Sequence, residues 1–165
     1  APYQGTPPIK EARLLENDPN SGLVAIEVKL EGRTDYIISA RDQAERQIGP
    51  LTVSGEFAFV SIDEKGNALQ GYLLRGSHLA CGDMAIDLPG PTTTLEVRSV
   101  EDRTFHLAKP LSVGSVVPGS YLLVGNDPRT GLEIESVTTK SITVRDYPAM
   151  ATGEVTVLNS GWWAR

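Results

Sequence analysis

The chain has 165 residues, 40% of them hydrophobic and 22% charged, with a formal net charge of −6. That balance fits one sizeable β domain or two small β modules and excludes wholesale disorder. The acidic excess, with Arg33, Arg41, Arg46 and Arg98 scattered among acids, argues against a phosphate-tracking surface, so nucleic acid is not an expected partner. No apolar run approaches the ~20 residues that span a bilayer, so no membrane partner is expected either.

Residues 1–22 carry Pro2, Gly5, Pro7, Pro8, Pro19 and Gly22, which reads as an extended N-terminal segment or linker. Within it Ile9–Glu16 is compatible with a short helical turn, anchored by Leu14 and Leu15. The first residue is Ala1 rather than Met, as expected of a processed chain or an excised piece, either of which would have lost any export signal.

From Leu23 to Leu158 short β-branched runs alternate with Gly, Pro, Asn and Asp. Leu23–Leu30 ends in a period of two, with Ile26, Val28 and Leu30 on one side against Glu27 and Lys29. Glu31–Arg33 turns the chain into Thr34–Ser39, and a polar loop spans Arg41–Pro50. Leu51–Val53 and Glu56–Ile62 are strands, and Asp63–Asn67 is a strong hairpin signal that returns through Ala68–Arg75. Ser77–Pro91 is turn-rich around a short strand at Met84–Leu88. Thr92–Val100 and Arg103–Ala108 form a hairpin about Glu101-Asp102, and Pro110–Pro118 is a loop or edge segment. Ser120–Val124, Leu132–Val137, Ser141–Arg145 and Glu154–Leu158 follow, separated by the turn-rich Gly125–Gly131 and Asp146–Pro148. About eleven or twelve short strands predict an all-β fold, an antiparallel β-sandwich over residues 23–165. A composition shift near 89–91 is a candidate boundary between two packed β subdomains.

The residues that usually carry chemistry are sparse. Cys81 is the single cysteine, has no neighbouring base, and reads as a buried inert thiol. The two histidines lack metal-ligand spacing, so neither metal nor cofactor is expected. His78 falls in a turn beside Arg75 and near Asp83, while His106 alternates away from Phe105 and Leu107 and so faces the surface. No nucleophile elbow or Ser/His/Asp arrangement is legible, and among the 21 acids no glycosidase pair stands out. Asp35, Glu56, Asp63 and Glu133 read as solvated charges. Tyr72, Tyr121 and Tyr147 read as ordinary rim or core residues. Trp162 and Trp163 close the chain and, on a strand, point to opposite faces. The pair either pins the C-terminus to a sheet or missing domain, or presents one ring as a sugar-stacking platform. Trp162, Trp163 and Tyr147 are therefore the candidate carbohydrate-binding residues, and no catalytic residue is assigned.

Three segments together carry a family resemblance: Gly32–Ser39, Gly55–Ser61 running into Asp63–Gly66, and Leu73–Leu79. Over roughly residues 23–90 this progression resembles the C-terminal β-rich region of heparinase II/III-type polysaccharide lyases, and Leu123–Asp127 fits the same setting more loosely. The resemblance implies a parent enzyme with an α-helical toroid ahead of β-sheet domains. There a Tyr or His removes the C5 proton of a uronic acid while polar groups neutralise the carboxylate. No catalytic residue of that family maps onto this chain; His78 lies inside the resembling region but at no motif position. The resemblance thus implies a non-catalytic accessory module, secreted to an extracellular or periplasmic setting, whose partner is a polysaccharide or a missing catalytic domain. A free-standing carbohydrate-binding module and a structural or assembly β domain stay open as alternatives.

Overall fold

The computed structural model describes residues 8–112, 114–124, 131–148 and 153–165; the prolines at 2 and 7, Gly5 and the turn at 125–130 lie outside them. Every regular element among the described residues is a strand. In chain order they are β1 (Ile9–Asp18), β2 (Leu23–Leu30), β3 (Arg33–Ser39), β4 (Arg46–Ile48), β5 (Leu51–Asp63), β6 (Ala68–Cys81) and β7 (Met84–Asp87). They continue as β8 (Thr92–Glu101), β9 (Thr104–Leu107), β10 (Tyr121–Val124), β11 (Gly131–Val137), β12 (Ser141–Val144), β13 (Gly153–Leu158) and β14 (Ser160–Ala164). The chain is all-β and built of antiparallel ladders, as its alternation indicates. It divides into two compact units, residues 1–87 with 161–165, and residues 88–160.

The Ile9–Glu16 stretch is a strand rather than a helical turn. Its backbone groups pair with β2, Leu14 opposite Ile26 and Arg13 opposite Glu27, and that ladder outweighs a weak local preference. The first unit is a sheet in the order β1-β2-β3-β5-β6-β14, with β4 also on β5 and β7 also on β6. Its long central hairpin is seeded at Asp63, whose carboxylate accepts hydrogen bonds from the Lys65 and Asn67 backbone N–H groups and from Asn67 Nδ2. Gly66, at φ 85, supplies the left-handed turn residue.

On the inner face, cross-strand rows Ala25–Ile38–Ala58–Leu73 and Glu27–Tyr36–Val60–Gly71 place the core. Burial along β2 therefore follows the register rather than polarity: Leu23, Ala25 and Glu27 are buried, while Ile26 and Val28 are half-exposed. Glu27, 7% exposed, tolerates this because Tyr36 Oη donates to its Oε2 at 3.1 Å and Arg13 Nη2 lies 3.3 Å from its Oε1.

Gly55 and Gly76 face each other across β5 and β6, beside a register shift and beside Arg75 at φ 49. Leu73 Cδ1 fills the space above both: a Cβ would meet it at 2.6 Å from Gly55 and 2.7 Å from Gly76. A Cβ on Gly71 would collide with Met84, so β7 side chains reach back over the middle of β6.

The second unit is a closed barrel in the order β10-β11-β12-β9-β8-β13. Phe105, Leu122, Ile134, Ile142 and Val157 fill its interior, as side chains must in so narrow a barrel. Buried Asn159 ties the unit's exit to its start: its Nδ2 donates to Gly90 O at 2.8 Å and its Oδ1 accepts from Thr93 Oγ1 at 3.1 Å.

Two outcomes follow from this packing. Gly76→Ala forces a methyl into Leu73 and the Gly55 backbone, so urea unfolding should show a loss of about 1–3 kcal/mol in the first unit. Burial, and then the hydrogen bond to Glu27, push the Tyr36 hydroxyl up to about 12. A raised acid of this kind stabilises fully below its unfolded value near 10 and loses that contribution as pH climbs through about 12. Stability measured across this window should fall by on the order of 2 kcal/mol more in the wild type than in Tyr36→Phe.

Candidate functional site

The face of the first unit opposite its core is also apolar. Cross-strand pairing sets Leu14, Ile26, Ile37, Phe59 and Tyr72 in one row over five adjacent strands. Side chains in such a row stand about 4.5–5.5 Å apart at Cβ and so form a continuous stripe. Leu14 is 57% exposed and the four others are half-buried. A second row, Val24–Ser39–Phe57–Leu74, flanks it.

β14 lies at the edge of this sheet beside β6, and Arg165 N donates to Leu69 O at 3.1 Å to hold the chain end there. The Trp162 ring sits 6.0 Å from that of Tyr72 at 56°, and Tyr72 sits 6.2 Å from Phe57 at 59°. These tilted aromatic pairs hold Trp162 in place while leaving it 63% exposed. Alternation turns Trp163 to the other face of β14, where it is half-buried. Tyr147, 77% exposed, follows β12 in the second unit, so no single unit holds all three aromatic residues expected to bind sugar. Tyr72, the ring that supports Trp162, reads as an ordinary rim or core residue in the sequence, and Phe57, which packs on Tyr72, carries no signal of its own there. Their pairing depends on β14 joining β6 across about ninety residues of intervening chain, and no local signal announces it.

The other reactive side chains have structural partners. His78 lies within strand β6 rather than in a turn, cross-strand from both Ser54 and Asp87, and its Nδ1 is 2.7 Å from Asp87 Oδ1. Ser54 Oγ donates to Gln43 O at 2.7 Å, so its proton is committed to the backbone rather than to the imidazole. Cys81 is buried, and burial first, then the Asp83 charge, push its thiol pKa up, away from nucleophilic use. Asp35, expected to be solvated, is instead 7% exposed with Arg33 Nε at 3.3 Å. Glu56 and Glu133 pair with Arg75 and Arg145 at 3.2 and 3.0 Å. Among the described residues, no group of three or more His, Cys, Asp or Glu side chains could hold a metal ion.

A protein-family model described as the endo-acting ulvan lyase C-terminal domain matches residues 9–97. The match takes in β1 to β7 and the start of β8, and so includes the whole apolar row from Leu14 to Tyr72. It agrees with the sequence reading at the level of a polysaccharide lyase C-terminal β domain. No curated protein matches the chain.

The exposure of the two indoles gives a direct check. Acrylamide should quench a large share of the tryptophan fluorescence, and Trp162→Ala should remove that accessible component while leaving the Trp163 emission. Because Trp162 is mostly exposed, the same change should lower stability by less than about 1 kcal/mol.

Proposed function

The chain belongs to the endo-acting ulvan lyase C-terminal domain family, and from that premise we propose that it is a non-catalytic accessory module. Its outer sheet face seats against a lyase catalytic domain, and its Trp162 edge lines one wall of the substrate cleft. The observation that carries this reading is the row Leu14–Ile26–Ile37–Phe59–Tyr72, continued by the ring of Trp162. Contiguous apolar surface of this kind marks interaction sites, because covering it gains roughly 25 cal/mol per Å². A C-terminal domain implies a domain before it, and in a lyase that neighbour carries the chemistry. The heparinase II/III-type parentage rests on the Gly32–Leu79 segments alone and is carried as part of the proposal, as is an extracellular or periplasmic setting, where polysaccharide is met.

The exposure of Trp162 favours a second reading, a free carbohydrate-binding module that needs no catalytic partner. Aromatic faces suit the C–H-rich faces of pyranose rings, and an indole already braced by Tyr72 loses little freedom on stacking.

Sedimentation of the chain with a purified ulvan lyase catalytic domain separates the two. Docking predicts a complex that Ile37→Lys weakens about tenfold or more, with the circular dichroism of the variant unchanged. Retention on ulvan without any complex would favour the binding module. On ulvan the chain alone should yield no rise in absorbance from an unsaturated product; such a rise would show that it is itself catalytic.

A further inference from the structure

The barrel carries a second feature, outside the docking face and lined only by residues beyond the family match. Arg98, Ser99, Glu101, His106, Leu107 and Lys140 line a cleft of about 370 Å³, within the roughly 300–1,000 Å³ typical of small-ligand sites. Its cations are placed by backbone geometry. Val97 pairs with Leu107 and Ser99 with His106, so Arg98 is the extra residue of a β-bulge. The bulge turns both Arg98 and Ser99 outward while Val97 stays buried, the kind of re-aiming that bulges provide.

Lys140 is held as firmly. Thr138 Oγ1 accepts from the backbone N–H of Lys140 at 3.2 Å and of Ser141 at 3.0 Å, and Lys140 O accepts from Leu107 N at 2.9 Å. His106 stands between Ser99 and Ser141 in one cross-strand row, with Glu101 Oε2 3.8 Å from its Nε2.

The cleft brings together two of the chain's cations that lack an acidic partner. Arg33, Arg46, Arg75, Arg103 and Arg145 each sit beside a carboxylate. Among the described residues, Arg98 and Lys140 have no ion-pair partner; Lys10, Arg41, Lys65 and Lys109 have none either, but Arg98 and Lys140 line the same cleft. The adjoining cleft past Lys109 brings in Glu96 and Glu154 and has no such positive balance. In a chain of net charge −6, two cations left unpaired around one cleft make a local anion site against the average field.

We propose that this cleft is a subsite for the carboxylate or sulfate group of an acidic polysaccharide. The Arg98 fork and the Lys140 ammonium hold the oxyanion, which Arg can grip through two parallel N–H groups. Ser99, His106 and Glu101 hydrogen-bond the hydroxyls of the same sugar ring, a task for which the carboxylate of Glu101 suits a sugar and would repel a bare polyphosphate. The subsite requires neither the docking face nor Trp162.

Affinity electrophoresis of the full chain tests it, in gels containing polygalacturonate, dextran sulfate or neutral dextran. Retardation is expected in at least one polyanion gel and not in dextran, and the gel that retards identifies carboxylate or sulfate as the group held. Arg98→Ser with Lys140→Ser should weaken that binding about tenfold or more. Lys10→Ser with Lys65→Ser, which removes the same charge elsewhere, should weaken it by less than about twofold. Equal loss in both double variants, no retardation by either polyanion, or tighter binding of single-stranded DNA would overturn the subsite. Loss on Trp162→Ala with none on changing Arg98 and Lys140 would overturn it too, yet leave the first unit's role standing.

Discussion

The β5–β6 hairpin is the constraint on which the first unit depends. β3 and β4 add to β5, and β7 and β14 add to β6, so four further strands take their register from this one pair. Two local devices fix it. The Asp63 carboxylate, its pKa lowered chiefly by the Asn67 side chain, closes the turn. The Gly55–Gly76 approach lets Leu73 lie across both strands where any side chain would push them apart. A slip of one residue would exchange the two faces of the sheet. It would carry Leu73 out of the core and Phe59 into it, and the apolar row and the core would be lost together.

The same register explains why a polar residue is inside and apolar ones are outside. Glu27 is buried against Tyr36 and Arg13, and the adjacent positions Ile26 and Val28 then have only the outer face to occupy. A sheet stabilised for its own sake would place Ile inward and Glu outward. The arrangement seen here uses a buried carboxylate network, marginal in stability terms, and leaves branched side chains half-covered. That inversion makes sense when the outer face has a partner, which is the role proposed for it above.

Much of the strand inventory was legible in the sequence because its signals are local. β2 and the Asp63–Asn67 hairpin follow from alternation and turn chemistry, and β8 to β13 lie within a few residues of the runs that announce them. β1, β4 and β14 were not legible: β1 is a polar strand shaped by its partner, β4 is three residues long, and β14 joins a sheet begun far earlier in the chain. Ser54–Gly55 and Gly76–Ser77 read as breaks because glycine interrupts the alternation there, yet each lies inside one long strand. Closure of the barrel through β10–β13 and β13–β8 rests on distant pairings that no window reveals. Of the candidate site, Trp162 was identifiable as a chain-end aromatic. Its support by Tyr72, and the bulge that frees Arg98, required the ladders to be seen.

The central claim is that the outer face of the first unit is a seat for a catalytic domain. Hydrogen exchange on the full chain, with and without an ulvan lyase catalytic domain, tests it most directly. The account predicts slowed exchange in β2, β3, β5 and β6, centred on Ile26, Ile37, Phe59 and Tyr72, with the barrel strands β10 to β12 unchanged. A complex that protects only the barrel, or leaves the β2–β6 amides exchanging as in the free chain, would contradict it.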